Sequence, residues 1–327
     1  MKIIELADNH NRDEDEFFGP QKKFYNWFSE QSFNLPENIL IDAGDHFHRA
    51  KPSPREYGLA FHWLKQLKFE RMFWVVGNHD TLSNGVSVSL HPLEVADPRV
   101  SVVRTPILED LDGYRILFLP FEYNPTIEGV RYPRQEYYNM LSELHPEWQS
   151  ADLLVHHFPD ETQSFGKKHG TDLSMFEAKL RQGGDIHLQG PTYVGNPFPK
   201  RYDEAGQSGR ILEINPITSD ISYHTVPRFV DFVTVKYGEE PVKNSEGETL
   251  LVVYDAPTKQ AALDRYSAMW NVYSIRFLNT GITRDPLSKK ANVRTSMEEH
   301  LKDFIKIKNI PQEVATLLTA NLVGSSK

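Results

Sequence analysis

The segment Val76-Gly77-Asn78-His79-Asp80, placed at the end of the apolar run Met72-Phe73-Trp74-Val75-Val76, constrains this chain more than any other. An apolar run that breaks at Gly-Asn is a buried strand passing into a tight turn, and the turn presents polar side chains at the strand's carboxyl end. Asn78 offers a neutral oxygen to a metal, His79 an imidazole to a phosphate, and Asp80 a carboxylate able to hold that imidazole in one tautomer. That set suggests phosphoester chemistry. Alone, it also fits an ordinary turn with a surface His-Asp pair.

Two upstream strand ends carry the same kind of donor. Ile3-Ile4-Glu5-Leu6-Ala7 runs into Asp8-Asn9-His10, and Ile39-Leu40-Ile41-Asp42-Ala43 runs into Gly44-Asp45. Downstream, Leu153-Leu154-Val155 leads into His156-His157, and Gly183-Gly184 into Asp185-Ile186-His187. With 13 histidines in the chain a chance pair is expected, and a lone His beside a core strand is more often a satisfied polar residue than a ligand. Five ordered clusters at strand ends, where open α/β sheets place their ligands, are a different matter. Nitrogen and oxygen donors without sulfur favour Mn(II), Fe or Zn. Asp45 is the natural bridge between two ions.

These clusters resemble the calcineurin-like metallophosphoesterases, whose pattern is D-x-H, G-D, G-N-H-D/E, H and G-H-x-H, over about the first two hundred residues. Gly44-Asp45-His46-Phe47-His48, followed by Pro52-Ser53, resembles more narrowly the G-D-x-F-H-x-x-x-P-S segment of the SbcD-type nuclease subunit of the SbcCD complex, including phage recombination endonuclease subunits. Tyr193-Val194-Gly195-Asn196-Pro197 is similar to the Y-x-G-S-P stretch of that family.

The resemblance implies Asp8, His10, Asp45 and His187 around one metal, with Asp45, Asn78 and a fourth-motif histidine around the other. His157 fits the family spacing from Asp152; His156 is the alternative. His79 is implied as the acid that protonates the leaving 3′ oxygen, with Asp80 orienting it and His48 as a second imidazole on the phosphate side. Asp185 stands where the family has the first His of G-H-x-H. As a ligand it would shift preference towards Mn(II) or Mg(II) and away from zinc; turned away, it would leave the second metal weakly held. Two ions roughly 3.5–4 Å apart acidify a bridging water and neutralise charge developing on the phosphate. The expected cofactor is therefore a pair of Mn(II) ions, with Mg(II) as substitute.

The chain has no cysteine, and neither a Gly-x-Ser-x-Gly elbow nor a Walker loop, so nucleophilic Cys or Ser chemistry and an intrinsic ATP site are not expected. ATP dependence would come from a partner. No apolar run approaches the ~20 residues of a membrane span, and a cytoplasmic protein, in the host cytoplasm if phage-encoded, is expected. A formal charge of −9 is not that of a typical DNA-binding protein, but contact depends on local charge. Arg49, Lys51, Arg55, Lys167, Lys168, Lys200 and Arg201 are candidate phosphate contacts.

Alternating strand and helix patterns predict an α/β, two-sheet metallophosphoesterase sandwich over residues 1–227, with core-facing helices around Phe24–Phe28 and Tyr57–Leu67. A small α+β capping domain is expected over 228–290 and a helical tail over 291–327. The tail opens with a capping box, Ser296 and Glu299, and carries Leu301, Phe304, Ile305, Leu317, Leu318 and Leu322. Packing on its own domain is the default. The resemblance implies instead a clasp on an SbcC-like coiled-coil ATPase, and it leaves a homodimer open. Three functions compete: a metal-dependent DNA nuclease subunit in recombination, repair or degradation; another metallophosphoesterase, acting on a protein or nucleotide; and a metal-deficient scaffold.

Overall fold

A computed structural model describes residues 1–82, 89–122, 125–160, 170–201, 204–242 and 247–276. In chain order the elements are β1 (Ile3–Leu6), α1 (Asp15–Ser29), β2 (Ile39–Asp42), α2 (Pro54–Gln66), β3 (Arg71–Val75), α3 (His91–Ala96), β4 (Val100–Val103), β5 (Ile107–Leu111) and β6 (Tyr114–Leu119). A short hairpin, β7 (Thr126–Ile127) and β8 (Val130–Arg131), precedes α4 (Arg134–Leu144), β9 (Leu153–His156) and β10 (Leu180–Gly183). Then come β11 (Arg210–Ile214), β12 (Ile221–Thr225), β13 (Val230–Lys236), β14 (Glu248–Tyr254), α5 (Lys259–Tyr266) and β15 (Asn271–Arg276).

Two sheets result. One has the order β12-β11-β1-β2-β3-β4, with β1 to β4 parallel; the other has the order β10-β9-β6-β5, with β6, β9 and β10 parallel. Parallel strands covered on both faces need continuous apolar runs, and Ile3-Ile4 or Ile39-Leu40-Ile41 meets that need because neighbouring side chains leave on opposite faces. Ile3, Ile39, Ile41, Phe73 and Val75 pack between the sheets against Ile116, Phe118, Leu153 and Val155. The alternate residues Ile4, Leu40, Met72 and Trp74 pack outward against Phe24, Phe28 and Trp63 of α1 and α2. Leu117, Leu119 and Leu154 do the same under Tyr138 of α4. The expected two-sheet sandwich is thus present, and all its parallel strands deliver their carboxyl ends to loops.

Helix α2 has a reason to start where it does. Ser53 Oγ accepts from the Glu56 amide at 3.2 Å while the Glu56 carboxylate accepts from the Ser53 amide, a capping box with Pro54 at the first helical position. Glu56 also takes Arg49 Nε at 3.3 Å, and Arg55 pairs with Asp15. Arg49 and Arg55 are thereby engaged within the protein.

Strands β13, β14 and β15 form a separate parallel sheet with α5 as its crossover. Val233, Val235, Leu251 and Val253 lie under Ala262 and Tyr266 of α5; Phe232, Leu250 and Val252 on the other face join the same core as Phe24 and Phe198. The described residues all fall within one compact unit. The end of the capping region and the helical tail, with Leu301 to Leu322, lie outside the described residues. Among the described residues no helix is long and apolar enough to cross a membrane.

Candidate metal centre

The loops after β1 and β2 are stitched together before any side chain is considered. Asp8 N donates to Gly44 O at 3.0 Å, His10 N to Asp45 O at 2.8 Å and His48 N to Asn11 O at 3.1 Å. This stitching holds Asp8, His10 and Asp45 in the left-handed region, with φ of 54°, 43° and 54°, and Asp185 has a φ of 74°. Such backbone is costly for residues other than glycine and persists where surroundings over-determine it, as at functional sites. Close approach of the loops also requires glycine: a Cβ on Gly77 would stand 2.1 Å from Asp45 Oδ1, and one on Gly44 2.1 Å from His157 Nδ1.

The loops bring seven of the expected ligands together. Asp8, His10 and His187 form one group, and Asp8, Asp45 and His157 another, with donor atoms all within 4.8 Å of one another in each. Asp45 lies between them. Its Oδ2 is 3.6 Å from His10 Nε2 and its Oδ1 is 3.3 Å from His157 Nε2. The Asn78 side-chain oxygen stands 3.2 Å from His157 Nε2 and from the Asp45 and Asp185 carboxylates. Asp185 therefore faces the cluster.

Two of the cluster's three histidines, His157 and His187, have a partner that sets their tautomer. The Nδ1–H of His157 donates to Ala43 O at 2.6 Å, and that of His187 to Glu204 Oε1 at 2.6 Å. Both Nε2 atoms are left with lone pairs turned inwards, the arrangement of an imidazole prepared for a metal. His187 Nε2 lies 2.9 Å from His10 Nε2. The Asn78 oxygen and the three acceptors around it repel one another unless an N–H or a cation lies among them. Asp8 Oδ2 and His10 Nδ1 are buried without a hydrogen-bond partner. The donor set, orphaned atoms included, fits divalent cations.

The electrostatics agree. Burial pushes the Asp8 carboxyl up to about 7, with Asp45 and Asp185 adding to it against His157 and His187. Burial raises Asp185 as well. Burial disfavours the charged form of His157, yet the carboxylates of Asp45, Asp8 and Asp185 hold its pKa well above the usual value. His48 goes the other way: burial, with the nearby Arg12 charge, lowers it to about 3 and keeps it neutral. Its ring stacks on His79 at 5.2 Å.

Several expectations are corrected here. Asp80 does not orient His79: its carboxylate accepts from the amides of Asp45 and Gly77 at 3.0 Å each, tying the second loop to the third. The Nδ1–H of His79 donates to His48 O at 2.7 Å instead, which leaves Nε2 facing Asp45 Oδ2 at 4.0 Å. His156 is buried outside the cluster, its Nδ1 bonded to Phe158 O at 2.9 Å, so His157 is the histidine that reaches the other ligands. Lys200 is no surface contact: it is fully buried, with Nζ on Gln21 Oε1 at 2.6 Å and over the Phe198 ring. Lys167 and Lys168 lie outside the described residues.

Sequence reasoning missed Glu204, whose second oxygen accepts from Asn196 Nδ2 at 2.6 Å and Lys200 N at 2.7 Å. It missed the buried chain Asn9–Asp42–His46–Asn11–Tyr25 as well, where Asp42 Oδ2 accepts from Asn9 Nδ2 at 3.0 Å and His46 Nδ1 at 2.7 Å. Asn196 follows Gly195 in a segment already singled out, which was a signal for this corner of the site.

Residues 1–190 match the calcineurin-like phosphoesterase family. The chain belongs to that family. Its members are metal-dependent phosphoester hydrolases. The DNA double-strand break repair protein Mre11 of Archaeoglobus fulgidus is 27% identical over 205 residues, 58% of this chain and 46% of that protein. The chain thus matches just under half the length of that relative. Among solved structures, a novel archaeal phosphodiesterase aligns at 11% identity and a TM-score of 0.36, over 69% of this chain and 99% of that one. A protein of unknown function from Aquifex aeolicus aligns at 18% identity and 0.30, over 53% of this chain and 89% of that one.

Proposed function

We propose that this calcineurin-like phosphoesterase is a DNA nuclease working with two Mn(II) ions, as the nuclease subunit beside an SbcC-like coiled-coil ATPase. The observation that carries the reading is the position of Asp45, with one oxygen towards His10 and the other towards His157. That position supports two adjoining cation sites sharing one carboxylate. Asp8, His10, His187 and Asp45 would hold one ion, and Asp45, Asn78, His157 and Asp185 the other. Divalent cations held there would acidify water and neutralise charge on the phosphate.

The chain's own groups do the rest. His79 presents Nε2 at the rim and gives a proton to the leaving oxygen, its ring held by the His48 carbonyl. Neutral His48, stacked against it, supports that ring without repelling its charge. Asp80 keeps the Asp45 and Gly77 amides in register. Support for DNA as substrate comes from the likeness to a DNA repair protein and from the Gly44–His48 segment with Pro52-Ser53. The test is incubation of the purified chain with end-labelled DNA, with and without Mn(II). Cleavage is expected with Mn(II) and lost in Asp45→Ala, because two cations without the shared carboxylate repel each other. Wild-type cleavage by Asp45→Ala would refute the two-metal reading.

A further inference from the structure

Arg134, the first residue of α4, holds its guanidinium against two aromatic rings, 4.7 Å from the centroid of Phe121 and 5.4 Å from that of Phe158. Both rings belong to loops of the candidate site. Phe158 directly follows His157, and the Phe121 amide donates at 2.8 Å to the carbonyl of Val76, just before the Gly77-Asn78 turn. The cation therefore sits where the loops bearing Asn78 and His157 meet.

Its charge acts on Asp185 and Glu122 only at a distance, lowering the pKa of each against burial. Arg134 makes no ion pair among the described residues. Glu122, beside it, accepts from the Tyr137 hydroxyl at 3.0 Å, and burial pushes that carboxyl up to about 7 against the lowering by Tyr137 and Arg134. A guanidinium laid on aromatic faces keeps its N–H edge free, and that rigid fork matches the oxygens of a phosphate. An open cavity of about 370 Å³, lined by Glu122, Arg131, Tyr132 and Arg134, adjoins it. That volume falls within the range of small-ligand sites.

Resting on the phosphodiesterase reading above, we propose that Arg134 grips the phosphate next to the scissile one, with the flanking nucleotide laid in the cavity beside Arg131 and Tyr132. The substrate class is then a polynucleotide strand rather than an isolated phosphoester. A purely structural arginine would serve through its stem and its ring contacts, and a methionine of similar length would replace it without consequence.

The test is fluorescence anisotropy of a labelled phosphorothioate hexathymidylate, which resists hydrolysis, in Mn(II) over a series of salt concentrations. Arg134→Met should raise Kd by ~10-fold or more, as for loss of a charge-assisted hydrogen bond. It should also lower the slope of log Kd against log salt by about 0.7, the value for one phosphate contact on a single strand. Should that variant unfold by circular dichroism, Arg134→Lys serves: it keeps the charge and loses the fork, so Kd should rise while the salt slope stays. Unchanged Kd and slope in the folded variant, or no binding by the wild type, overturn the assignment. Binding that depends on Arg134, with no Mn(II)-dependent cutting of ordinary DNA, sustains it and refutes the nuclease reading.

Discussion

Replacing Glu204 with glutamine isolates the control of one ligand's tautomer. One carboxylate oxygen accepts from His187 Nδ1 at 2.6 Å; the other accepts from Asn196 Nδ2 at 2.6 Å and from the amides of Lys200 and Arg201 at 2.7 and 3.2 Å. An amide has only one oxygen. Three donors hold it on the Asn196 side, each worth about 0.5–1.5 kcal/mol net, so the NH₂ turns to His187. Nδ1 must then accept, and the ring proton moves to Nε2, the atom that lies 2.9 Å from His10 Nε2. A protonated nitrogen cannot bind a metal. Removal of an outer carboxylate of this kind weakens metal binding by about 10–100-fold, or about 1.4–2.7 kcal/mol. Calorimetric titration of the metal-free protein with Mn(II) should show one equivalent weakened by that factor and the other unchanged. Two equivalents at wild-type affinity would refute the tautomer argument; loss of both would make Glu204 a brace for the whole loop.

Three further outcomes are expected. His79→Ala should lower turnover by ~10²-fold or more with metal content intact, as for a lost general acid; elemental analysis showing a missing metal equivalent would make His79 a ligand. Asp185→His should shift preference towards zinc, since imidazole is softer than carboxylate, and competition between Zn(II) and Mn(II) measures it; affinities for both ions unchanged from wild type would show that residue 185 does not ligate. Glu5 is fully buried between the sheets with both oxygens unpartnered, and burial pushes it from 4.5 up to about 8. The unfolded chain ionises Glu5 from about pH 4.5 and the folded one only near 8, so stability falls as pH rises through that window, by ~1.4 kcal/mol per unit. Glu5→Gln should abolish this component, and a wild-type-minus-variant stability difference that is constant across the window in denaturant titrations would refute it.

Four of the five ligand clusters were legible because each follows an apolar run, where a buried parallel strand passes into polar residues, and the fifth because Gly183-Gly184 marks the strand end before Asp185. What sequence order could not supply was direction. Asp80 adjoins His79 in the chain, yet consecutive residues of a turn leave it at different angles, and the carboxylate points back to the amides of Asp45 and Gly77. His156 and His157 are equivalent as letters. They separate because the His157 ring fills space left by the missing Cβ atoms of Gly44 and Gly184, whereas the His156 ring lies over Gly183. Glu204 lies 17 residues beyond His187, in a stretch with no period to announce it. The capping box with Glu56 gives Ser53 a structural role that the family resemblance did not require.

Asp185 also bears on which phosphoester the site suits. In the left-handed region, where Asp is among the better tolerated residues, its amide donates to Asp8 Oδ1 at 3.0 Å while its carboxylate faces Asn78. Three carboxylates, those of Asp8, Asp45 and Asp185, therefore surround the place where two divalent ions would bring four positive charges. One positive charge is left over before water gives up its proton. A phosphodiester, with its single negative charge, balances that remainder, whereas the second charge of a monoester would be in excess. On the reading proposed above, the departure from the family pattern and the unpaired Arg134 act in the same direction, towards a strand of phosphodiesters rather than a terminal phosphate.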